Sequence, residues 1–205
     1  MGRTTARTAP RRRVPRAERE LQILEAAEAV FGARGVKAAS MEEIAERVGV
    51  TKPLLYEYFG SKDGLVVACI GRARAELLDR TWQAVEHAES AEERMRLGVL
   101  AFFEFISDHA AAWAVVRGEA AISGEAVAAV EEVRSQQTDY VAGVLASYPM
   151  LADADPARLH GYADVVVGAC ERLAVRLETD ADLDAATATD FVMDVIWSGL
   201  ALLAD

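Results

Sequence analysis

Cysteine is nearly missing from this 205-residue chain: Cys69 and Cys170 stand far apart with no CxxC pair, and His87, His109 and His160 are as scattered. That spacing supplies neither a disulfide framework nor a metal-ligand set, so no metal and no other cofactor is expected. Proline is scarce too, five residues falling mostly at helix boundaries, and no strand-type alternation is sustained, which excludes a β-rich fold. No apolar run approaches the roughly 20 residues needed to cross a bilayer. The sequence therefore reads as soluble and cytoplasmic, with no membrane partner. Catalytic groupings are lacking as well: no paired nucleophile and base, no glycine-rich phosphate loop and no ligand cluster stands out, which argues against an enzyme. A helical protein–protein adaptor that never touches DNA stays open as an alternative.

What is present favours helix. Ala, Leu, Val, Glu and Arg dominate, and the expected fold is all-α, about nine helices, with a small N-terminal domain joined to a larger one. The net charge of −11 is unevenly placed: residues 1–65 carry 12 Lys/Arg and 9 Asp/Glu, net +3, whereas 66–205 carry 10 and 24, net −14. A basic module is thus attached to an acidic body, and nucleic-acid binding is not excluded by the total. The first 16 residues hold Arg3, Arg7, Arg11, Arg12, Arg13 and Arg16, two prolines and no acid. They read as a flexible basic arm (1–15) rather than a transit peptide, because no apolar segment follows.

Helix periodicity begins at Arg16–Arg34, where Ile23, Ala27, Val30 and Phe31 share a face and Gly35 ends the run. Ser40-Met41-Glu42-Glu43 has the form of a capping box before the stripe Ile44, Ala45 and Val48, and Gly49 stops that helix. Thr51 is placed to cap a third, short helix carrying Leu55, Tyr56 and Phe59, interrupted by Gly60. Ser61 caps a long connecting helix to about Ala88. A second box, Ser90-Ala91-Glu92-Glu93, opens a helix through Met95, Val99, Phe102, Phe103 and Ile106. Helical pattern follows near 110–118 and over 124–147, closed by Pro149, then from Asp155-Pro156 to about Leu177 and from Ala185 to about Leu203.

Two short helices around a glycine turn, supported by a longer one, form a helix-turn-helix centred on residues 40–59, whose second helix would enter the major groove. Thr51, Lys52 and Tyr56 lie where short polar and basic side chains reach base edges and phosphates, and Lys62 sits at a helix N-terminus suited to an anion. Arginine outnumbers lysine nineteen to three, yet Lys37, Lys52 and Lys62 all fall in this module.

The run ILEAAEAVFGARGVKAASMEEIAERVGVTKPLLYEYFGSKDGL, residues 23–65, resembles the N-terminal domain of the TetR (tetracycline repressor-like) family in its first-helix core, Gly35 turn, Ser40 cap, IAERVGV segment and Tyr56-x-Tyr58-Phe59 ending followed by Ser61-Lys62. The resemblance implies a homodimer of all-helical subunits on a palindromic operator in double-stranded DNA. Carried onto this chain, Thr51, Lys52, Pro53 and Leu54 would approach bases, while Ser40, Tyr56, Tyr58 and Lys62 would hold phosphates. Pro53 stands where the family often has Gly, and a first helical turn accommodates it. Glu57, an acid on the recognition helix, has no assigned role. The arm's Arg11, Arg12 and Arg13 suit an adjacent minor groove, or form only a free terminus.

On this reading residues 16–61 bind DNA and 62–205 form the connecting helix with the effector-binding and dimerisation domain. Phe102, Phe103, Phe105, Trp113, Tyr140, Tyr162 and Trp197 are candidates to line an effector pocket, plain core packing being the alternative for each. Polar residues inside apolar stretches, Glu104, Arg117, Glu171 and Arg172, add candidates, with Arg117 and Glu171 the preferred pair. The last two helices, through Val166, Ala169, Leu173, Val195 and Leu200, are expected to form a two-fold dimer interface. An unidentified small-molecule effector would move the connecting helix near 62–88 and so release a repressor. An activator, or a DNA binder without a ligand, is the alternative.

Overall fold

A computed structural model describes residues 14–111, 113 and 124–201, and contains no strand among them. Eight helices follow in order: α1 Arg16–Arg34, α2 Met41–Val48, α3 Lys52–Phe59, α4 Lys62–Val85, α5 Ala91–Asp108, α6 Gly124–Ala146, α7 Pro156–Leu177 and α8 Ala185–Val192. The last continues through a π-helical turn, Met193–Trp197, into Ser198–Ala201. Of the helix expected near 110–118, Ala110, Ala111 and Trp113 are helical and the rest lies outside the described residues.

The starts of these helices follow from their capping residues. Ser40 accepts from the Glu43 amide at 3.1 Å, Ser61 from Gly64 at 2.8 Å, and Ser90 from Glu93 at 3.1 Å. Asp155 accepts from Arg158 at 3.0 Å and Asp184 from Thr187 at 2.7 Å. Each satisfies an amide that the first helical turn leaves open, worth about 1 kcal/mol. The return half of both expected capping boxes goes elsewhere: Glu43 pairs with Arg34 of α1 at 2.8 Å, and Glu93 accepts from the amide of Glu89 at 2.8 Å, one residue before the cap. Thr51 stands at the start of α3 with extended backbone, but its hydroxyl makes no capping bond.

Two apolar cores share one helix. Ile23, Ala27, Phe31, Ile44 and Leu55 of α1–α3 close on Leu65, Val66, Cys69 and Ile70 of α4. From Ala73 onward α4 belongs to the second core, with Phe102, Phe103 and Ile106 of α5, Leu145 of α6 and Ala163 and Ala174 of α7. The expected division between residues 61 and 62 therefore falls too early: the first third of α4 is part of the N-terminal unit. At 24 residues this helix is about 36 Å long, a single rod built into both cores. Arg72 of α4 and the 5 %-exposed Glu28 of α1 reinforce the junction with a two-pronged ion pair, Nε to Oε1 at 2.8 Å.

Candidate DNA-reading face and effector cavity

Helix α3 is held by one buried side chain, Leu55, while Thr51, Pro53, Tyr56 and Glu57 are exposed and Lys52, Leu54 and Tyr58 half-buried. Glycines bracket it where the chain must turn with positive φ, Gly49 at 74° and Gly60 at 72°, a conformation open to glycine at little steric cost. The uncapped Thr51 hydroxyl and the first turn of α3 thus face outward together. The Lys52 ammonium pairs with Glu42 of α2 and lies 5.8 Å from the Tyr56 ring centre. That pairing holds the Glu42 carboxyl below, and the Lys52 ammonium above, their ordinary ranges. Glu42 was not singled out from the sequence, since a partner ten residues away across a turn leaves no periodic trace.

The phosphate-holding candidates divide. Ser40 uses a lone pair for the cap and keeps its O–H to donate. Tyr58 lies under the Arg16 guanidinium, 4.9 Å from the ring centre. Lys62 donates to the carbonyls of Ala39 at 2.6 Å and Lys37 at 3.3 Å. It ties the α1–α2 connection to the start of α4, a structural task that its position at a helix N-terminus did not reveal. Arg11, Arg12 and Arg13 lie outside the described residues.

Between α4, α5, α6 and α7 lies a cavity of about 200 Å³. Leu77, Trp82 and Val85 of α4, Met95, Val99, Phe102 and Phe105 of α5, Trp113, Tyr140 and Leu145, Tyr148, and Val166 and Cys170 of α7 line it. Burial pushes the Cys170 thiol up to about 12, Glu171 adding to the effect, so it is a neutral part of this wall. Of the expected pocket residues, Phe102, Phe105, Trp113 and Tyr140 are there. The others are not among the lining residues: the Tyr162 hydroxyl accepts from Arg158 Nε at 2.6 Å and Glu171 pairs with Arg134 at 3.3 Å. Glu104 and Arg172 are exposed, and Arg117 lies outside the described residues.

Two lining residues were missed. Arg74 of α4 and Arg94 of α5 border the cavity, and among the described residues neither guanidinium makes an ion pair. Arg94 acts on the phenols of Tyr140 and Tyr148, opposing the upward push of their burial. Among the described residues of this acidic body five of nine arginines are in ion pairs, and two that are not stand beside one apolar cavity, where they suit an anion. In sequence, Arg94 looks like one more charge in the polar first turn of α5.

The expected dimer residues also divide. Val166 and Leu200 are buried in the chain's own core, 5 % exposed each, which corrects their assignment to a surface. Ala169 and Leu173 are half-buried. Val195 is turned outward, as are the neighbouring Val165 of α7 and Phe191 of α8.

A small DNA-reading unit continuous through one helix with a ligand-sized cavity is the layout of a one-component transcription regulator. Profiles of known families agree: residues 23–69 match the bacterial regulatory proteins of the tetR family, and residues 91–199, more than half of the chain, match the tetracyclin repressor-like C-terminal domain. The HTH-type transcriptional activator FasR of Mycolicibacterium smegmatis is 32 % identical over 188 residues, 92 % of this chain and 85 % of that protein. A TetR-like transcriptional regulator from Rhodococcus sp. RHA1 superposes with a TM-score of 0.75 at 32 % identity, covering 92 % of this chain and 99 % of the other. The regulator FadR from Bacillus subtilis, solved in complex with stearoyl-CoA, shares the fold at TM-score 0.76 and 16 % identity, over 87 % of this chain and 98 % of its own. The chain belongs to the tetR family and is a helix-turn-helix transcription regulator.

Proposed function

We propose that the protein binds a palindromic operator as a homodimer, and that an amphipathic acyl ligand in the α4–α7 cavity sets its affinity for that DNA. One observation carries this reading: α4 is packed into the DNA-binding core through Leu65, Val66, Cys69 and Ile70 and walls the cavity from Ala73 to Val85. A ligand that favours one position of this rod changes the spacing of the two recognition helices, and a coupling of about 1–3 kcal/mol gives a useful response. The apolar wall fits a hydrocarbon chain, and the unpaired Arg74 and Arg94 fit an anionic head, either a carboxylate or the phosphates of a thioester carrier. The stearoyl-CoA held by the structurally similar FadR has this chemistry.

The first reading is a repressor released by its ligand. A second, in which the ligand strengthens DNA binding and the protein activates, is favoured by the activator FasR, alike over 92 % of this chain. Mobility shifts on DNA from upstream of the protein's own gene, titrated with palmitate and palmitoyl-CoA, test both. Salt-dependent binding weakened by either compound supports the repressor, and strengthened binding the activator. Binding that no acyl compound alters would sink the ligand assignment, and the absence of any salt-dependent shift on that DNA would sink the operator assignment.

A further inference from the structure

Three polar atoms in the cavity wall are buried without a hydrogen-bond partner among the described residues: Trp113 Nε1, Gln136 Oε1 and Tyr148 OH. All three residues line the cavity, and Trp113 and Tyr148 are 7 % and 2 % exposed. Buried polar groups are nearly always paired, because an orphan forfeits its bonds to water for nothing. Elsewhere in this domain the rule holds: the buried hydroxyls of Thr138 and Thr189 donate to Asp164 Oδ1 at 3.2 Å and the Ala185 carbonyl at 2.8 Å. The exceptions cluster on the one cavity.

The three atoms differ in kind. The indole N–H only donates, the amide oxygen only accepts, and the phenol does either. The other end of the Gln136 amide is engaged, its Nε2 donating to Glu132, so Oε1 is fixed as an acceptor. A plain methylene chain offers none of these atoms anything. A hydroxyl on the chain both accepts and donates, and so suits the indole, the amide oxygen and the phenol alike.

We infer that the cavity selects an acyl chain bearing a hydroxyl group over the unsubstituted chain of the same length, with Trp113, Gln136 and Tyr148 as the specificity-determining residues. This rests on the acyl reading above, and adds to it a second polar point of recognition besides the anionic head at Arg74 and Arg94. Trp113 and Tyr148 sit with their rings edge-on to Phe102 at 5.9 Å and Trp197 at 5.8 Å, packing that fixes where their polar atoms stand.

The test is equilibrium binding of octadecanoate and of its 3-, 10- and 12-hydroxy derivatives to the full chain, by calorimetry or quenching of tryptophan fluorescence. At least one hydroxy isomer is expected to bind about tenfold or more tightly than octadecanoate, since a site built around a hydroxyl discriminates against its absence. Tyr148→Phe and Trp113→Phe remove the polar atoms while keeping an aromatic ring. They should bring that ratio to within about twofold. Tyr148→Phe should also melt no lower than the wild type without ligand, because an unpaired hydroxyl has nothing to lose. Octadecanoate binding as well as every hydroxy isomer, or a preference surviving both substitutions, overturns the inference and leaves the acyl reading standing. Failure of all four acids to bind, offered free and as their coenzyme A thioesters, overturns the acyl reading and this inference together.

Discussion

Gly32 of α1 and Ala111, beyond the end of α5, meet backbone to backbone: a Cβ on Gly32 would lie 2.7 Å from Ala111 Cα and 2.8 Å from its Cβ. Two residues further on, Trp113 is in the cavity wall. The same corner is tied to α4, where Glu76 meets His109 Nε2 at 2.9 Å and Arg80 reaches Asp108 at 3.0 Å. The DNA-binding unit therefore touches the cavity segment directly as well as through α4. Carbon atoms pack at about 3.5–4.0 Å, so Gly32→Val must push α1 away from Ala111. Stability should fall by about 1–3 kcal/mol in chemical denaturation, and the ligand concentration that half-alters DNA binding should shift. An unchanged ligand response in the milder Gly32→Ala variant would show that the signal travels by α4 alone.

Lys52, on the end of α3 expected to approach bases, is held by Glu42. Both side chains reach solvent, Lys52 41 % and Glu42 57 % exposed, so the pair adds little to stability and chiefly sets where the ammonium points. Glu42→Gln should leave the melting temperature unchanged and raise operator affinity a few-fold at low salt, by removing a competing anion. Lys52→Ala should weaken binding and lower the slope of log affinity against log salt by about one unit per half-site contact. If Glu42→Gln lowers affinity instead, Glu42 positions the lysine rather than competing for it.

Lys62 behaves differently. Its bonds to the Ala39 and Lys37 carbonyls are charge-assisted, each worth about 1.5–3 kcal/mol when not offset by water, and the ammonium is only half-buried. Lys62→Met should therefore lower stability by about 1–2 kcal/mol. The salt slope of DNA binding should barely change. A stable variant with a reduced slope would restore the phosphate-contact role that its place in the sequence suggested.

The contrast between these two lysines shows what the sequence carries and what it does not. Capping residues and periodicity are local, so Ser40, Ser61, Ser90 and Asp155 mark the helix starts at which they act, and Gly49 and Gly60 mark the turns around α3. The aromatic pocket residues Phe102, Phe105, Trp113 and Tyr140 were legible because large apolar side chains on a helical stripe point inward. Partners brought together by folding were not. The Lys52–Glu42 pair, the Lys62 tie and the meeting of Arg74 and Arg94 at one cavity depend on how helices cross, which no single stripe records. Nor does a stripe of broadly apolar residues say which member turns out: Val166 and Leu200 face inward, their neighbours Val165 and Phe191 outward.

That last distinction decides how dimerisation is to be tested. Val195 is 74 % exposed and Val165 61 %, with Gly161, Gly168 and Gly199 on the same helices in open surroundings. In the proposed homodimer, exposed valines beside glycines would let two helix pairs approach closely across a two-fold axis and would bring each Val195 near symmetry-related apolar groups. Val195→Asp would bring a charge of the same sign from each protomer into that contact. Because the side chain is turned away from the chain's own core, the intrinsic stability of the protomer in chemical denaturation should change by no more than about 0.5 kcal/mol. Sedimentation should show monomers, and operator binding should drop with the loss of the second half-site. Leu200→Asp, placing a charge in the core, should instead unfold the protein. An intact dimer for Val195→Asp would move the interface off this face.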